Sequence, residues 1–170
     1  LARTKQDTEA EDLLREAMAK YQAALAIKAD DYIALSNWGG ALATLARTKQ
    51  DAEQEDLLRE AMAKYQAALA IKPDSYDALN NWSGAIGRLW HLTQEAPLLS
   101  QMLDVAERAK KISGKANYNL ACALALSGRE SDCREELLAC RADGTLPDPG
   151  YLIQDPDLQS VRETDWFTEL

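Results

Sequence analysis

Apolar and small residues recur at steps of three and four along residues 57–71, which is the period of an amphipathic helix. The pattern consists of Leu57, Leu58, Ala61, Met62, Tyr65, Ala68, Leu69 and Ile71. Pro73 and Asp74 predict the end of this helix, because proline disfavours helical backbone in the residue before it. A second helix is predicted to begin at Asp74–Ser75, with its apolar face at Tyr76, Leu79, Trp82, Ala85, Ile86 and Leu89.

This pair of helices belongs to an internal repeat. Residues 1–44 and 45–88 align without a gap, and only ten of the 44 positions differ. The segment EDLLREAMAKYQAALAIK occurs unchanged at 11–28 and at 55–72. Self-similarity at a period of 20–50 residues is typical of solenoids, in which each unit buries its apolar face against the next.

The rest of the chain departs gradually from this pattern. Residues 96–114 predict another second helix, and residues 115–128 and 131–144 predict a further first and second helix. The second of these carries Cys133, Leu137 and Cys140 at the packing positions. In residues 146–170 we expect two proline-bounded turns and then a short helix from about Pro156. Its inward side chains would be Leu158, Val161, Trp166 and Phe167, and its polar outer ones Asp155, Asp157, Arg162, Glu163 and Asp165.

The segments NWGGAL (37–42) and EAMAKYQAALAIKPD (60–74) resemble the tetratricopeptide repeat. Trp38–Gly39 stands for that family's first-helix pair, and Ala61, Tyr65, Ala68 and Pro73 match its second helix. The resemblance implies an all-α fold, an α-solenoid of antiparallel helix hairpins wound into a right-handed superhelix. The block YNLACALALSG…DPDLQSVRETDWF is similar to the end-of-group units that close such arrays in bacterial proteins. Two departures are Ala29 for the usual proline and Ser83 for the usual glycine.

The resemblance divides the chain into repeats and a cap. Residues 1–144 form the repeats: 1–30 the second helix of a truncated unit, 31–74, 75–114 and 115–144. Residues 145–170 form a C-terminal capping turn and helix. The unit is 44 residues rather than the usual 34, and we interpret the ten extra residues (46–55) as longer helices plus a polar turn. Leu1–Asp7 is expected to be the tail of a preceding helix, so the natural protein would continue upstream.

Composition limits the classes of function. The net charge of −9 argues against nucleic acid and favours either a basic partner or simple solubility. No apolar run reaches the ~18 residues that a membrane span needs, and no secretory leader is visible. Cys122, Cys133 and Cys140 lack metal-ligand spacing, so we interpret them as free thiols in a reducing compartment. A cytoplasmic protein is expected.

Nothing in the sequence predicts an enzyme, a cofactor or a metal site. His91 is the single histidine and is interpreted as a helix-end residue rather than a base. Cys133 and Cys140 share one helix face, where packing competes with a redox or metal role. The acidic spacing of DPDPGY…QDPD suggests calcium, but it lacks the full loop signature and is explained better by turns.

Partner binding is expected on the concave face, which the resemblance assigns to the first helices. Asparagines recur there at one register, and an amide can both donate to and accept from a bound peptide. The glycines cost helix stability but leave room for a close approach. The alternative is that the asparagines bond to a neighbouring loop and the glycines permit helix packing. The predicted partner-binding residues are Ile33, Ser36, Asn37, Gly40, Asp77, Asn80, Asn81, Gly84, Lys115, Tyr118 and Asn119.

The leading hypothesis is therefore a non-catalytic scaffold that binds a peptide or partner protein on this concave face. One alternative is a self-association module, because an uncapped N-terminal helix would expose Leu13, Leu14, Ala17 and Tyr21 to a second copy. Another is the regulatory or sensor arm of a larger multidomain bacterial effector enzyme. Neither nucleic acid nor a membrane is expected as a partner.

Overall fold

The computed structural model describes residues 5–170, with side chains from Thr8 onward. This range contains helices and turns but no β-strand, so the protein is an all-α array of helical repeats, as predicted. Its residues group into two units: the first ends at Gln94 and the second begins at Glu95. The expectation for Leu1–Asp7 falls partly outside the described range. Lys5 already belongs to the first helix, which runs on without a break.

The first unit is built from four helices, and each packs against the next along the chain. They are α1 (Lys5–Ile27), α2 (Tyr32–Leu45), α3 (Asp51–Ile71) and α4 (Tyr76–Thr93). Helix α3 lies between α2 and α4, and α2 also contacts α4 directly. The four consecutive helices expected in this part of the chain are therefore present.

Side-chain caps start both first helices, although the capping residue differs between the two copies. Asp31 Oδ1 accepts hydrogen bonds from the backbone N–H groups of Ile33 (3.1 Å) and Ala34 (3.0 Å). In the next copy Ser75 Oγ accepts from Ala78 N at 3.5 Å. Aspartate and serine are both strong N-cap residues, so this substitution between the copies preserves the start of the helix.

The ten extra residues of the repeat lengthen a helix, as the sequence predicts. A 3₁₀ turn, Ala46–Thr48, follows α2, and α3 then begins at Asp51 and continues for 21 residues. The turn is tied to α1 by Glu11, whose buried carboxylate accepts from Thr48 Oγ1 (2.8 Å) and Lys49 Nζ (3.1 Å). Residues 46–55 thus form a turn that Glu11 ties to α1, followed by the start of α3.

The predicted apolar stripes form the core of the first unit, apart from Leu57, which is half-buried, and two residues at the α3–α4 turn. Leu58, Ala61, Tyr65, Leu79 and Ile86 are almost completely buried. Ile71 and Tyr76, also expected in the stripes, are 41% and 38% exposed. They flank the turn at the end of the hairpin, and this position gives them fewer neighbours than the middle of each helix has.

The second unit contains three longer helices and then a closing segment, residues 145–170. The helices are α5 (Ala96–Ser113), α6 (Tyr118–Leu126) and α7 (Glu130–Asp143), and α6 packs against both others. Cys133, Leu137 and Cys140 are fully buried, as their packing positions predict. Glu136 is also buried; it accepts from Asn117 N at 2.7 Å and from Lys110 Nζ, and so fastens the three helices together.

The closing segment differs from the prediction in four respects. A short helix, α8 (Pro149–Gln154), stands where a turn was expected, because Pro149 suits a first helical position and Asp148 caps Tyr151 N. A 3₁₀ turn follows (Pro156–Leu158), then a four-residue helix, α9 (Asp165–Thr168). Asp155, predicted to face outward, is buried because it caps that 3₁₀ turn. Trp166 is only half-buried, and its Nε1 donates to Glu130.

Candidate functional site

A stripe of exposed and half-exposed positions runs along α2. Ile33 is 55% exposed, Asn37 and Thr44 are exposed, and Gly40 lies half-exposed between the last two. Their spacing of four, three and four residues places them on one side of a helix. The stripe offers an apolar side chain, an amide, a gap without a side chain and a hydroxyl that bonds to its own helix at Gly40 O (2.8 Å).

Helix α4 carries the equivalent stripe 44 residues later. Asp77, Asn81 and Arg88 are exposed and Gly84 is half-exposed. Arg88 Nη1 donates to Ala43 O at 2.9 Å, so the two helices are tied together at this point. Both stripes occupy the same register of the repeat and therefore belong to one surface. We call it the α2/α4 face: Ile33, Asn37, Gly40, Thr44, Asp77, Asn81, Gly84 and Arg88.

Two other predicted binding residues in this unit lie beside the face. Ser36 is only 8% exposed and is part of the buried side of α2. Its counterpart Asn80 is half-buried. Neither presents a fully exposed polar group. A partner would therefore contact mainly Ile33 and Asn37 on α2 and their repeat equivalents Asp77 and Asn81 on α4.

Gly39 allows α2 to pack closely against α3, and this role was not predicted from the sequence. A Cβ built on Gly39 would lie 2.8 Å from Cε1 of Tyr65, closer than real contacts allow. Tyr65 is 1% exposed, and burial raises the pKa of its phenol to about 12. The Trp38–Gly39 pair of the repeat motif already indicated this close packing. The glycine predicted as functional was instead Gly40, whose Cβ would meet only Tyr65 Oη at 3.7 Å.

The tryptophans of the two copies have different environments. Trp82 is buried, as its core position predicts. Trp38 is half-buried and carries Lys64 Nζ 3.7 Å from the centre of its ring, a cation–π contact. It borders a shallow cavity of about 380 Å³ between α1, α2 and α3, together with Met18 and Leu57.

The face carries side chains that can form hydrogen bonds to a partner. Amide groups at Asn37 and Asn81 can bond to a peptide main chain, and Asp77 supplies one negative charge. His91, the single histidine of the sequence, lies edge-on to Trp90 with ring centres 5.1 Å apart. Among the described residues of this unit, we find no nucleophile activated by a neighbouring base.

The three predicted binding residues of the second unit are placed differently from one another. Lys115 is exposed just before α6, and Asn119 is half-exposed. Tyr118 is half-buried, and its hydroxyl donates to Asp155 Oδ2 at 2.7 Å while its ring meets Tyr151. Burial, reinforced by Cys122 and Asp155, raises the pKa of Tyr118. This tyrosine therefore holds the closing segment against α6.

Cys122, Asp155 and Asp157 form a cluster with potential ligand atoms within 4.8 Å of one another. Both carboxylate oxygens of Asp155 already accept hydrogen bonds, from Tyr118 and from Asp157 N. Burial, and then the two aspartates, raise the pKa of the Cys122 thiol. Metal binding needs a thiolate, so the cluster is better explained as the packed junction between α6 and the 3₁₀ turn.

Comparison with known proteins connects the larger part of this chain to one family. Residues 11–118 match the family model described as plant specific mitochondrial import receptor subunit TOM20. The matched range includes the whole α2/α4 face and stops at the first residue of α6. None of the curated proteins matches the chain.

The match corrects the expected location. A cytoplasmic protein was predicted, and this is wrong, because the family is a mitochondrial import receptor subunit. The finding points to the surface of the mitochondrial outer membrane. None of the helices in the described part of the chain combines the length and apolarity that crossing a bilayer requires.

Proposed function

Because the chain belongs to the family of the plant specific mitochondrial import receptor subunit TOM20, we propose that it is a non-catalytic receptor for the leader peptides of imported proteins. The peptide binds on the α2/α4 face. The observation that carries this assignment is the repetition, in two adjacent helices, of an exposed stripe with asparagine and glycine at the same register. Because the stripe occurs on two adjacent helices, it can contact two successive segments of one peptide.

The chemistry of such a leader peptide complements this protein. Mitochondrial transit peptides are amphipathic, rich in arginine and poor in acidic residues. The chain carries a net charge of −9, which attracts a basic peptide over the range of the Debye length. Ile33 provides an apolar contact, and Asn37 and Asn81 provide hydrogen-bond donors and acceptors. Gly40 and Gly84 leave space for the peptide to approach the helix backbone.

Calorimetry with a synthetic basic amphipathic peptide of about five helical turns tests this proposal. In the double variant Asn37→Ala/Asn81→Ala we expect affinity to fall about thirtyfold, because two hydrogen bonds of roughly 1 kcal/mol each are removed. The matched control is Gln66→Ala, which removes an exposed amide from α3, away from the face. An acidic peptide of the same apolar pattern should bind much more weakly.

Equal affinity of the double variant and the wild type would show that the peptide does not use the α2/α4 face. Binding of the acidic peptide as tightly as the basic one would remove the electrostatic part of the proposal. The thermal stability of both variants should match the wild type, since the substituted side chains are exposed.

The repeat itself is assigned to the tetratricopeptide type, with units beginning at residues 31, 75 and 115 and a cap from residue 145. Support comes from the alternation of helices α1 to α4 and from the contact of Gly39 with Tyr65. Both residues are motif positions in the resemblance, Gly39 on a first helix and Tyr65 on a second helix.

Self-association is a second candidate, favoured by the exposure of α1. Helices α1 and α3 are identical in sequence over 11–27 and 55–71, yet Leu58, Ala61 and Tyr65 of α3 are almost fully buried. Their equivalents Leu14, Ala17 and Tyr21 are only half-buried, and Leu13 is 67% exposed. A helix like α2 from a second copy would cover this face as α2 covers α3. Light scattering that finds a strict monomer at high concentration would exclude this candidate.

A further inference from the structure

The closing segment of the second unit encloses a cavity of about 680 Å³ that lies outside the range matched by the import-receptor family. It opens between the end of α7, helix α8 and helix α9. This volume falls in the range of roughly 300–1,000 Å³ that small-molecule sites occupy. The cavity is therefore large enough to hold a ligand independently of the α2/α4 face.

The walls of the cavity are mainly apolar. Leu152 and Phe167 form buried parts of the wall, Leu146 is half-buried, and Ile153 stands at the rim with 57% of its surface exposed. An exposed isoleucine beside buried leucine and phenylalanine makes a continuous apolar surface that leads from the solvent into the cavity. Such a surface favours an aliphatic chain over a polar ligand.

The charged side chains at the cavity are both cationic. Arg141 and Arg162 line it, and no aspartate or glutamate occurs among the described lining residues. This is unusual in a chain with 28 acidic and 19 basic residues. In the described part of the chain neither arginine is paired with a side-chain carboxylate. Arg162 donates to Asp155 O at 2.7 Å, and Arg141 donates to the main-chain oxygens of Glu169 and Leu170.

Arg162 also has an unused donor. Its Nε is buried and has no hydrogen-bond partner among the described residues. A buried donor without an acceptor is costly, and a guanidinium is shaped to bond a carboxylate with two parallel N–H groups. An anionic oxygen at the cavity would satisfy this group and balance the two positive charges.

We propose that this cavity binds an aliphatic carboxylate, with the chain along Leu146, Leu152, Ile153 and Phe167 and the head group at Arg162 and Arg141. Recognition combines burial of the chain with charge-assisted hydrogen bonds to the head group. The proposal does not depend on peptide binding, because none of these residues belongs to the α2/α4 face.

Calorimetry with octanoate, decanoate and dodecanoate, each below the concentration at which it forms micelles, tests the proposal. Affinity should rise about fourfold with each methylene until the cavity is filled, which corresponds to the usual value of a buried methylene. Dodecanol, which has the same chain without the charge, should bind at least tenfold more weakly than dodecanoate.

Matched variants locate the site. Arg141→Met should weaken dodecanoate binding about tenfold, whereas Arg134→Met, on an exposed position of the same helix outside the cavity, should not. Ile153→Glu should weaken binding by repulsion at the rim, and Gln154→Glu, one residue further on α8, should not. Both pairs alter exposed side chains, so folding is preserved and circular dichroism confirms it.

Three results would overturn the proposal. These are equal binding of dodecanol and dodecanoate, equal losses in the cavity variants and their matched controls, and no heat of binding for any member of the series. Retained binding of the basic peptide in Arg141→Met and Ile153→Glu would show that a failure here leaves the receptor proposal intact.

Discussion

Gly39 and Gly40 are neighbours in sequence, but they face different parts of the molecule. Gly39 is buried against the ring of Tyr65, whereas Gly40 is half-exposed on the α2/α4 face. The same residue type therefore serves close packing at one position and an open surface at the next. Their substitution by alanine should distinguish these roles, because alanine adds one methyl group at each.

Gly39→Ala should lower the free energy of unfolding by about 1–3 kcal/mol, since the new Cβ would lie 2.8 Å from Cε1 of Tyr65, a ring that is 1% exposed and cannot move away. Gly40→Ala should raise it by up to about 1 kcal/mol, because alanine favours a helix and its nearest neighbour is at 3.7 Å. Urea denaturation measures both. A gain at Gly39 would mean that α2 and α3 are not packed as described.

The three cysteines should behave as protected thiols. All are buried, and burial raises the pKa of Cys133 to about 12 and also raises the pKa values of Cys122 and Cys140. We expect iodoacetamide at pH 8.5 to modify none of them in the native protein within the time that modifies all three in urea. Rapid modification of one thiol in the native protein would contradict its placement.

The raised pKa values of the cysteines also predict how the free energy of unfolding changes at high pH. An unfolded cysteine loses its proton near pH 8.5, whereas Cys133 in the folded protein holds its proton until about pH 12. The folded state thus binds more protons in this window, and the free energy of unfolding should fall as pH rises from about 8.5 towards 12. Cys133→Ala should reduce this slope, as followed by urea midpoints at several pH values.

At the scale of helices, α1 and α3 contain the same stretch of sequence in two different environments. Tyr65 on α3 is buried between α2 and α4, whereas Tyr21 on α1 is half-buried, and among the described residues α2 is the main helix packed against α1. Tyr65→Ala should therefore cost about 3–5 kcal/mol in the free energy of unfolding. Tyr21→Ala should cost about 1 kcal/mol or less, because less of its surface is removed from water.

Thermal or urea unfolding of the two variants at low protein concentration measures this difference. Equal losses would show that α1 is covered in solution as fully as α3. A loss at Tyr21 that grows with protein concentration would identify a second copy as the cover and would support self-association.

Helix positions could be predicted from the sequence because their signal is local. The period of three and four predicted α3 and α4, and the repeat carried that assignment to α1 and α2. The contacts of the closing segment could not be predicted in this way. Asp155 is buried because Tyr118, 37 residues earlier, donates to it, and no local pattern contains that information.

The candidate site was predictable to a similar degree. The family resemblance placed Ile33, Asn37 and Gly40 on the surface of a first helix, and these positions are exposed or half-exposed. It did not separate Ser36, which is buried, from its neighbours. A family register places a residue to within about one position on a helix, whereas burial depends on the side chains of the neighbouring helices.

At the scale of the whole molecule, charge and repetition support the receptor function together. In the receptor proposal, the acidic excess attracts basic peptides at long range, and the repeated stripe provides the contact at short range. The electrostatic part should weaken with salt, because exposed charges are screened beyond about 8 Å at physiological ionic strength. Affinity for the basic peptide should fall between 50 mM and 500 mM NaCl, as measured by calorimetry.

The most direct measurement of the central claim is a chemical-shift titration of the isotope-labelled protein with the basic amphipathic peptide. The receptor proposal predicts that the largest shifts occur at backbone amides along the exposed stripes of α2 and α4, around residues 33–44 and 77–88. Shifts confined to α1 or to the closing segment after residue 145, or no shifts at millimolar peptide, would contradict it.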